Sequence, residues 1–313
     1  MRAENKTDVT DFMLLGFSEI PEIKDLIFVT FLLIYMVTLS GNVLLITITW
    51  IEPRLHSPMY LFISQLSFLD MCYSSVTVPK TLVNLLTEDK TISFNGCFTQ
   101  LHFFLHFACT EALILSSMAY DRYVAICHPM YYTVVITRRV CAQLITISWS
   151  VSFFYAMAHT MSTCTLSFCG SRVINHFFCD LPAVLRLSCT DTTNNILGVL
   201  LSGGLIGFSS FVVMLCSYTF ITSAILKIPS SHGREKAFST CISHLVVVNL
   251  FYGAFVFAYF KSLNDTLPKT ESLASVFYTV VTPMLNPFIY ALRNTEMKQA
   301  LTKQWVKLRY MRL

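Results

Sequence analysis

Seven runs of mainly apolar residues dominate this chain, and each is roughly as long as a bilayer-crossing helix, which needs about 20 residues. They cover residues 26–50, 59–78, 98–119, 140–161, 196–221, 237–260 and 273–292. Only 13% of the residues are charged, against about 25% in a typical soluble domain. We therefore predict an all-α membrane protein with a seven-transmembrane helix bundle over 26–292. A tail at 1–25, a long extracellular loop at 162–195 and a cytoplasmic tail at 293–313 complete the prediction.

The charges between the runs predict the orientation. Basic residues favour the cytoplasmic side of a membrane, which places the N-terminus outside and the C-terminus inside. The basic residues then on the inner side are Arg54, Arg122, Arg138, Arg139, Lys227, Arg234, Lys236, Arg293, Lys298, Lys303, Lys307, Arg309 and Arg312. Because they flank separate helices rather than forming one patch, membrane lipid is an expected partner and nucleic acid is not. Asn5 heads an Asn-Lys-Thr acceptor triplet and would lie on the side where glycosylation occurs.

Four of the 11 cysteines occupy positions predicted to be extracellular. Cys97 directly precedes the third run, at the outer end of its helix, and Cys169, Cys179 and Cys189 lie in the long loop. An even number of cysteines facing an oxidising compartment predicts disulfides, although the sequence alone leaves three pairings open. A metal site is the rival interpretation, but the spacing is wider than that of common zinc motifs.

Asp121-Arg122-Tyr123 follow the third run at the predicted cytoplasmic edge and end its helix. A charge here is costly unless it is paired. On one interpretation Arg122 only marks the edge of the membrane; on the other it is a switch that leaves Asp121 for another partner.

The seventh run contains two prolines, Pro283 and Pro287, which interrupt the backbone hydrogen bonds of one membrane helix. We expect Asn286 to satisfy the freed backbone and the kink to act as a pivot. Asn-Pro followed shortly by Tyr290 in a seventh spanning segment is a much stronger signal than a lone membrane proline.

Asp70 and Glu111 are carboxylates within the predicted membrane. Glu111 shares one face of its helix with Phe104 and Arg122, and that face must look into the bundle rather than into lipid. The two acids are candidates to hold a sodium ion or to share a proton; a hydrogen-bonded structural network is the alternative.

Together these motifs resemble the rhodopsin-like (class A) G-protein-coupled receptors, and most closely the vertebrate odorant receptors. The resemblance covers essentially the whole chain. It is carried by Leu-His-Ser-Pro-Met-Tyr at 55–60, Leu-Ser-Phe-Leu-Asp at 66–70, residues 118–127, Lys-Ala-Phe-Ser-Thr-Cys-Ile-Ser-His at 236–244, residues 283–294, and Phe-Met-Leu-Leu-Gly-Phe-Ser at 12–18.

The resemblance implies the functional residues. It implies disulfides joining Cys97 to Cys179 and Cys169 to Cys189. The implied cytoplasmic switch is Asp121, Arg122, Tyr123, Tyr218, His244, Asn286, Pro287 and Tyr290. The implied ligand-binding residues are Phe104, Leu105, Ala108, Cys109, Ser202, Ile206, Tyr252, Phe255, Val256, Tyr259 and Thr279.

The expected function is that of an odorant receptor in the plasma membrane, without catalysis or a cofactor other than sodium. Other receptors of this class bind cationic amines through a carboxylate at the position of Phe104, so the resemblance implies a small, neutral, mostly hydrophobic odorant. It also implies a stimulatory, olfactory-type heterotrimeric G protein and a rise in cyclic AMP.

Other functions receive less support from the sequence. A receptor of the same fold for a non-odorant metabolite is the first alternative. An ion- or proton-conducting protein using Asp70 and Glu111 is less favoured, because the number of runs is odd and the chain shows no internal repeat. A retinal-binding opsin needs an intramembrane lysine, which 272–292 lacks. A membrane enzyme is the least favoured, because His102, His106, His159 and His176 lack metal-ligand spacing with acids.

Overall fold

The computed structural model describes residues 10–19, 23–169, 171–262, 275–293 and 295–310, and the side chains at 254–262 lie outside that description. The helices of the described residues are α1 (Lys24–Ile51), α2 (Pro58–Leu86), α3 (Phe94–Cys127), α4 (Tyr132–Val135), α5 (Arg138–Cys164), α6 (Leu181–Leu185), α7 (Thr193–Leu226), α8 (Ser231–Ser262), α9 (Thr282–Arg293) and α10 (Thr295–Tyr310). The seven-helix bundle consists of α1, α2, α3, α5, α7, α8 and α9.

The apolar character of these helices matches a lipid environment. Among the described residues, α1, α2, α3, α5 and α7 are long and apolar enough to cross a membrane, and α8 contains a shorter apolar stretch, Cys241–Gly253. On α7, Leu205 is 70% exposed and Phe208 is 69% exposed. Large apolar side chains on the outside of a bundle are favourable when the surrounding solvent is lipid.

Helix α3 lies at the centre and packs against α2, α5, α7 and α8. It begins after Ser93, whose hydroxyl accepts a hydrogen bond from the Gly96 backbone N–H at 3.1 Å and so caps the helix. Its 34 residues exceed the apolar run at 98–119 at both ends. One helix therefore connects the end of the bundle that carries Cys97, here called the outer end, with the end that carries Arg122, the inner end.

A three-stranded sheet covers the outer end. Strand β1 (Asp11–Leu14) pairs antiparallel with β2 (Thr91–Ser93) and parallel with β3 (Val173–Ile174). The alternation in β1 puts Phe12 and Leu14 inward, each 1% exposed. Residues 11–14, which the sequence assigned to an N-terminal tail, are therefore part of the packed outer surface.

The seventh spanning segment contains a π-helical turn, Phe277–Val281, directly before α9. Pro283 has no N–H for the helical ladder and its ring crowds the preceding turn, which accounts for the widened geometry. Pro287 likewise leaves the Pro283 carbonyl without its helical donor, and Asn42 of α1 supplies one through Nδ2 at 3.1 Å. The prediction that Asn286 satisfies this backbone is wrong, because its Nδ2 bonds Asp70 instead.

Candidate functional sites

The long outer loop is held by two disulfides. Cys97 is joined to Cys179 and Cys169 to Cys189, with Cα–Cα distances of 5.5 and 5.8 Å. These are the pairings implied by the resemblance. Gln100 adds a second anchor, because its Oε1 accepts the Cys179 backbone N–H at 2.8 Å. The loop is thus fixed to the outer end of α3 by both a covalent bond and a hydrogen bond.

Residues 176–178, here called the plug, enter the bundle from this loop. Phe178 is fully buried and its ring lies 4.6 Å from the ring of Phe104 on α3. Phe177 stacks on Phe17 at 5.4 Å between ring centroids. His176 is 2% exposed, and burial lowers the pKa of its imidazole to about 3. In the sequence, the plug is marked by nothing more than three consecutive aromatic rings.

The plug packs against Phe104 of the predicted ligand wall. Phe104 is 6% exposed and stacks on Tyr73 at 5.3 Å. On the same helix Leu105 and Ala108 are half-buried and Cys109 is buried. Tyr73, Phe178 and Tyr278 all contact Phe104 within 6.1 Å between centroids, and sequence reasoning missed all three.

The predicted wall residues of the other helices have separate surroundings. Ser202 donates to the Gly198 carbonyl at 2.7 Å and lies 2.8 Å from His159 Nε2 on α5, so its hydroxyl bridges α7 to α5. Ile206 is half-buried. Thr279 is fully buried and donates to the Ser275 carbonyl at 2.6 Å. The remaining predicted residues are Tyr252, half-buried beside Phe251, and Phe255, Val256 and Tyr259, whose side chains lie outside the described ones.

A cleft lies behind the plug, between Gly16, Asn84 and Phe177, with a volume of about 10 Å³. That is close to the space needed for one water molecule. The cleft is therefore too small for an odorant.

The two buried acids lie deeper in the bundle. Asp70 is 1% exposed and accepts Asn286 Nδ2 on both carboxylate oxygens, at 3.0 and 3.1 Å. Glu111 is 3% exposed. Within the described residues no group of three or more His, Cys, Asp or Glu side chains could hold a metal ion. A sodium ion between Asp70 and Glu111 stays a prediction.

The inner end is closed by polar contacts around α3. Arg122 is ion-paired with Asp121, donating from Nε to Oδ2 at 2.9 Å. The second Asp121 oxygen accepts the hydroxyl of Tyr132 at 2.8 Å. Arg122 is 8% exposed, so the pair is shielded from water and its attraction is strong. Next to this pair, Tyr123 lies 3.1 Å from His128 Nε2.

His244 fastens α8 to α3 and α7. Its Nε2 lies 3.1 Å from the Leu115 carbonyl, and its Nδ1 lies 2.5 Å from the Tyr218 hydroxyl. Because Leu115 offers only an acceptor, Nε2 carries the hydrogen and Nδ1 accepts from Tyr218. Tyr290 of α9 is 1% exposed. His244 and Tyr218 thus connect the switch residues of α7 and α8 to each other and to the backbone of α3.

Helix α10 is attached to the first inner loop. Glu52 is only 4% exposed and bonds Lys303 Nζ at 2.8 and 3.1 Å. The hydrogen bond from Lys303 lowers the pKa of the Glu52 carboxyl. Tyr60 donates to Glu296 at 2.8 Å. Glu296 and Lys303 belong to the predicted cytoplasmic tail, and their contacts attach this segment, as α10, to Glu52 and to the start of α2.

Comparison with known proteins agrees with this architecture. A model of the olfactory receptor family matches residues 31–307. The chain is 48% identical to gorilla olfactory receptor 1E2 over 303 residues, which are 97% of this chain and 96% of that protein. It is 46% identical to human olfactory receptor 1C1 over 307 residues, 98% of each chain. The crystal structure of squid rhodopsin matches with a TM-score of 0.67 at 17% identity, covering 89% of this chain and 80% of that one.

The seven-helix bundle, which squid rhodopsin shares, defines the class of seven-transmembrane helix-bundle proteins. The family model and the relatives narrow this class, and the chain belongs to the olfactory receptor family. It is accordingly a multi-pass plasma-membrane receptor for small-molecule odorants that couples to a G protein, and it is not an enzyme. These predictions from the sequence are confirmed.

Proposed function

We propose that this receptor binds a small, neutral, mostly hydrophobic odorant in the outer half of the bundle, beneath the plug. The observation that carries the proposal is the aromatic surface around Phe104, which Tyr73, Phe178 and Tyr278 complete. A concave, mainly apolar site with few polar groups favours a ligand of the same character. The buried acids, Asp70 and Glu111, are the nearest candidates to pair with a cation, but Asp70 is already bonded to Asn286.

The partner on the inner side is a stimulatory, olfactory-type heterotrimeric G protein, and its activation raises cyclic AMP. The support is the closed inner end, where Arg122 is paired with Asp121 and His244 fastens α8. The odorant favours a state in which α8 has moved outward and Arg122 is free to meet the G protein. A ligand shifts this equilibrium only through its different affinities for the two states.

The ligand site is tested by odorant-stimulated cyclic AMP in cultured cells, using an activating odorant from a chemically diverse panel. Phe104→Ala should raise the half-maximal concentration at least tenfold at equal surface expression. Phe103→Ala is the matched control, because Phe103 is the adjacent ring on α3 and is 41% exposed, away from the buried surface around Phe104. Equal potency of the two variants would contradict the proposed pocket.

The coupling role is tested with the same assay. Arg122→Ala should abolish the response while leaving surface expression intact, whereas Arg139→Ala, at an exposed arginine of α5, should retain it. An undiminished response in Arg122→Ala would defeat the switch role. Replacing the stimulatory alpha subunit in the host cell identifies which subunit carries the signal.

The orientation and the sodium ion need separate experiments. With the outer end extracellular, Asn5, which lies outside the described residues, is glycosylated and Asn5→Gln loses the glycosidase-sensitive mass shift. A bound sodium ion would make odorant potency depend on sodium in the wild type but not in Asp70→Asn. Potency that is insensitive to sodium at constant ionic strength favours a purely hydrogen-bonded pair.

A further inference from the structure

The chain turns toward the plug at Gly16, which has a left-handed backbone conformation with φ of +51°. Residues with a Cβ rarely adopt this conformation. A Cβ added at Gly16 would also lie 3.0 Å from both Cα and Cβ of Phe177. This turn delivers the next residue, Phe17, onto the ring of Phe177 at 5.4 Å between centroids. Glycine is therefore required for the close approach of this segment to the back of the plug.

The strand before Gly16 is bonded to the chain that leads into the plug. Met13 N–H donates to the Arg172 carbonyl at 2.8 Å, and Leu15 N–H donates to the Ile174 carbonyl at 3.1 Å. Phe12 fixes the other side of the strand in an aromatic cluster, with the ring of Phe94 at 5.9 Å and that of Phe168 at 5.6 Å. The disulfide to Cys179 anchors one end of the plug, and residues 11–17 anchor the other.

The front of the plug faces the opposite way. Phe178 contacts Phe104, whereas Phe177 contacts Phe17 and Phe31. The rings of Phe177 and Phe178 themselves lie 4.9 Å apart. A shift of the segment behind Phe177 is thus transmitted through one ring contact to the surface proposed to touch the odorant.

We propose that residues 11–17 form a clamp that holds the plug as the roof of the odorant pocket, and that Gly16 is a positioning residue that sets odorant affinity. The inference rests on the proposed pocket at Phe104. If only receptors with a closed roof bind tightly, the apparent dissociation constant rises in inverse proportion to the fraction that is closed. Loosening the clamp therefore weakens potency without touching the inner end, so the maximal response is retained.

The experiment substitutes Gly16 in the full-length receptor and follows odorant-stimulated cyclic AMP at equal surface expression. Gly16→Val should raise the half-maximal concentration about tenfold, the equivalent of the usual cost of a left-handed non-glycine residue. Gly16→Asn should fall between Val and wild type, because asparagine tolerates this conformation better. Gly204→Val is the matched control, because a Cβ at Gly204 on α7 meets nothing within 4 Å; it should leave potency unchanged.

A second readout reports the clamp itself. Hydrogen exchange of purified receptor should be faster in Gly16→Val than in wild type for the peptide spanning 172–178. Unchanged exchange would overturn the clamp, and faster exchange with potency within twofold of wild type would overturn its role in affinity. If Gly16→Val does not reach the surface, Phe17→Leu replaces it, since this change weakens the same ring contact without backbone strain. If Phe104→Ala does not weaken odorant potency, the proposed pocket is refuted. The hydrogen-exchange result then still decides whether residues 11–17 hold the plug.

Discussion

His176 is a histidine that the folded receptor keeps neutral. It is 2% exposed, and burial lowers its pKa to about 3, with the positive charge of Arg186 lowering it further. Its Nδ1 accepts the Phe178 backbone N–H at 3.4 Å, so the ring hydrogen is on Nε2 and points to the Ser275 hydroxyl at 3.1 Å. Protonation would place a second N–H against that of Phe178, which is why the charged form is excluded.

This pKa predicts how acid affects the receptor. Histidine in the unfolded chain has a pKa of about 6.5, so between pH 6.5 and about 3 the unfolded chain binds more protons than the folded one. The contribution of neutral His176 to the free energy of unfolding is complete above pH 6.5 and is lost progressively as the pH falls toward 3. Acidification from about pH 7.4 to about pH 5 should remove about 2 kcal/mol of the unfolding free energy through His176 alone.

The assay is reversible unfolding of purified receptor at these two pH values. Other groups titrate over the same range, so the quantity of interest is the difference between wild type and His176→Gln, whose amide stays neutral. The wild type should lose about 2 kcal/mol more than His176→Gln on acidification. His232→Gln, at an exposed histidine of α8, should behave like the wild type. Equal acid sensitivity in wild type and His176→Gln would refute the reasoning.

Two further changes test the packed ends of the bundle. Phe12→Ala should cost about 3 kcal/mol of unfolding free energy, because the ring is 1% exposed within an aromatic cluster; Met13→Ala, at a 40% exposed neighbour, should cost far less by the same denaturation assay. Glu52→Gln and Lys303→Met should each lower the thermal unfolding midpoint, and the double variant should be no worse than the poorer single one, because both remove the same ion pair. Additive losses would show that the two side chains act independently.

The sequence predicts the helix bundle well because the length of an apolar run follows directly from the thickness of the bilayer. A bilayer demands long apolar helices, and runs of that length can be counted directly. Arg122 and Asn286 were identifiable because charged or strongly polar residues in such runs are costly and need a reason. The disulfide partners came from the resemblance, since spacing alone permits three pairings.

The outer surface was harder to predict because it depends on contacts between distant segments. Strand β1 is only four residues long, and its partner strands are roughly 80 and 160 positions away in the sequence. No local sequence pattern therefore predicts the sheet. From the sequence, Gly16 cannot be distinguished from a loop glycine that another residue could replace. Its requirement becomes visible only when Phe177 is placed beside it, at 3.0 Å from the missing Cβ.

The hydrogen bond that replaces the missing proline N–H in the seventh segment was hard to predict for another reason. The sequence correctly indicates that a backbone carbonyl loses its donor, but not which side chain replaces it. Asn286 is the nearest candidate along the chain, but its amide donates to Asp70. The amide of Asn42 on α1 donates to the Pro283 carbonyl instead. Gly41 permits that approach, because a Cβ there would lie 3.2 Å from Pro287 Cγ. Long-range partners follow from helix packing, which periodicity does not specify.

The contacts at the inner end set how strongly an odorant must discriminate between states. In the proposed activation, movement of α8 away from α3 would break the bond from His244 to the Leu115 carbonyl and disturb its bond with Tyr218, while Arg122 would leave Asp121. At about 1 kcal/mol net for each of these three interactions, the closed state is favoured by about 3 kcal/mol, and under about 1% of receptors are open at rest. An odorant must then bind the open state at least about 100-fold more tightly than the closed one to activate half of the receptors. In the proposed binding mode the odorant touches only the outer half of α3, so that discrimination would arise where the plug meets Phe104. An odorant that fits both arrangements of this surface equally well would then bind without signalling.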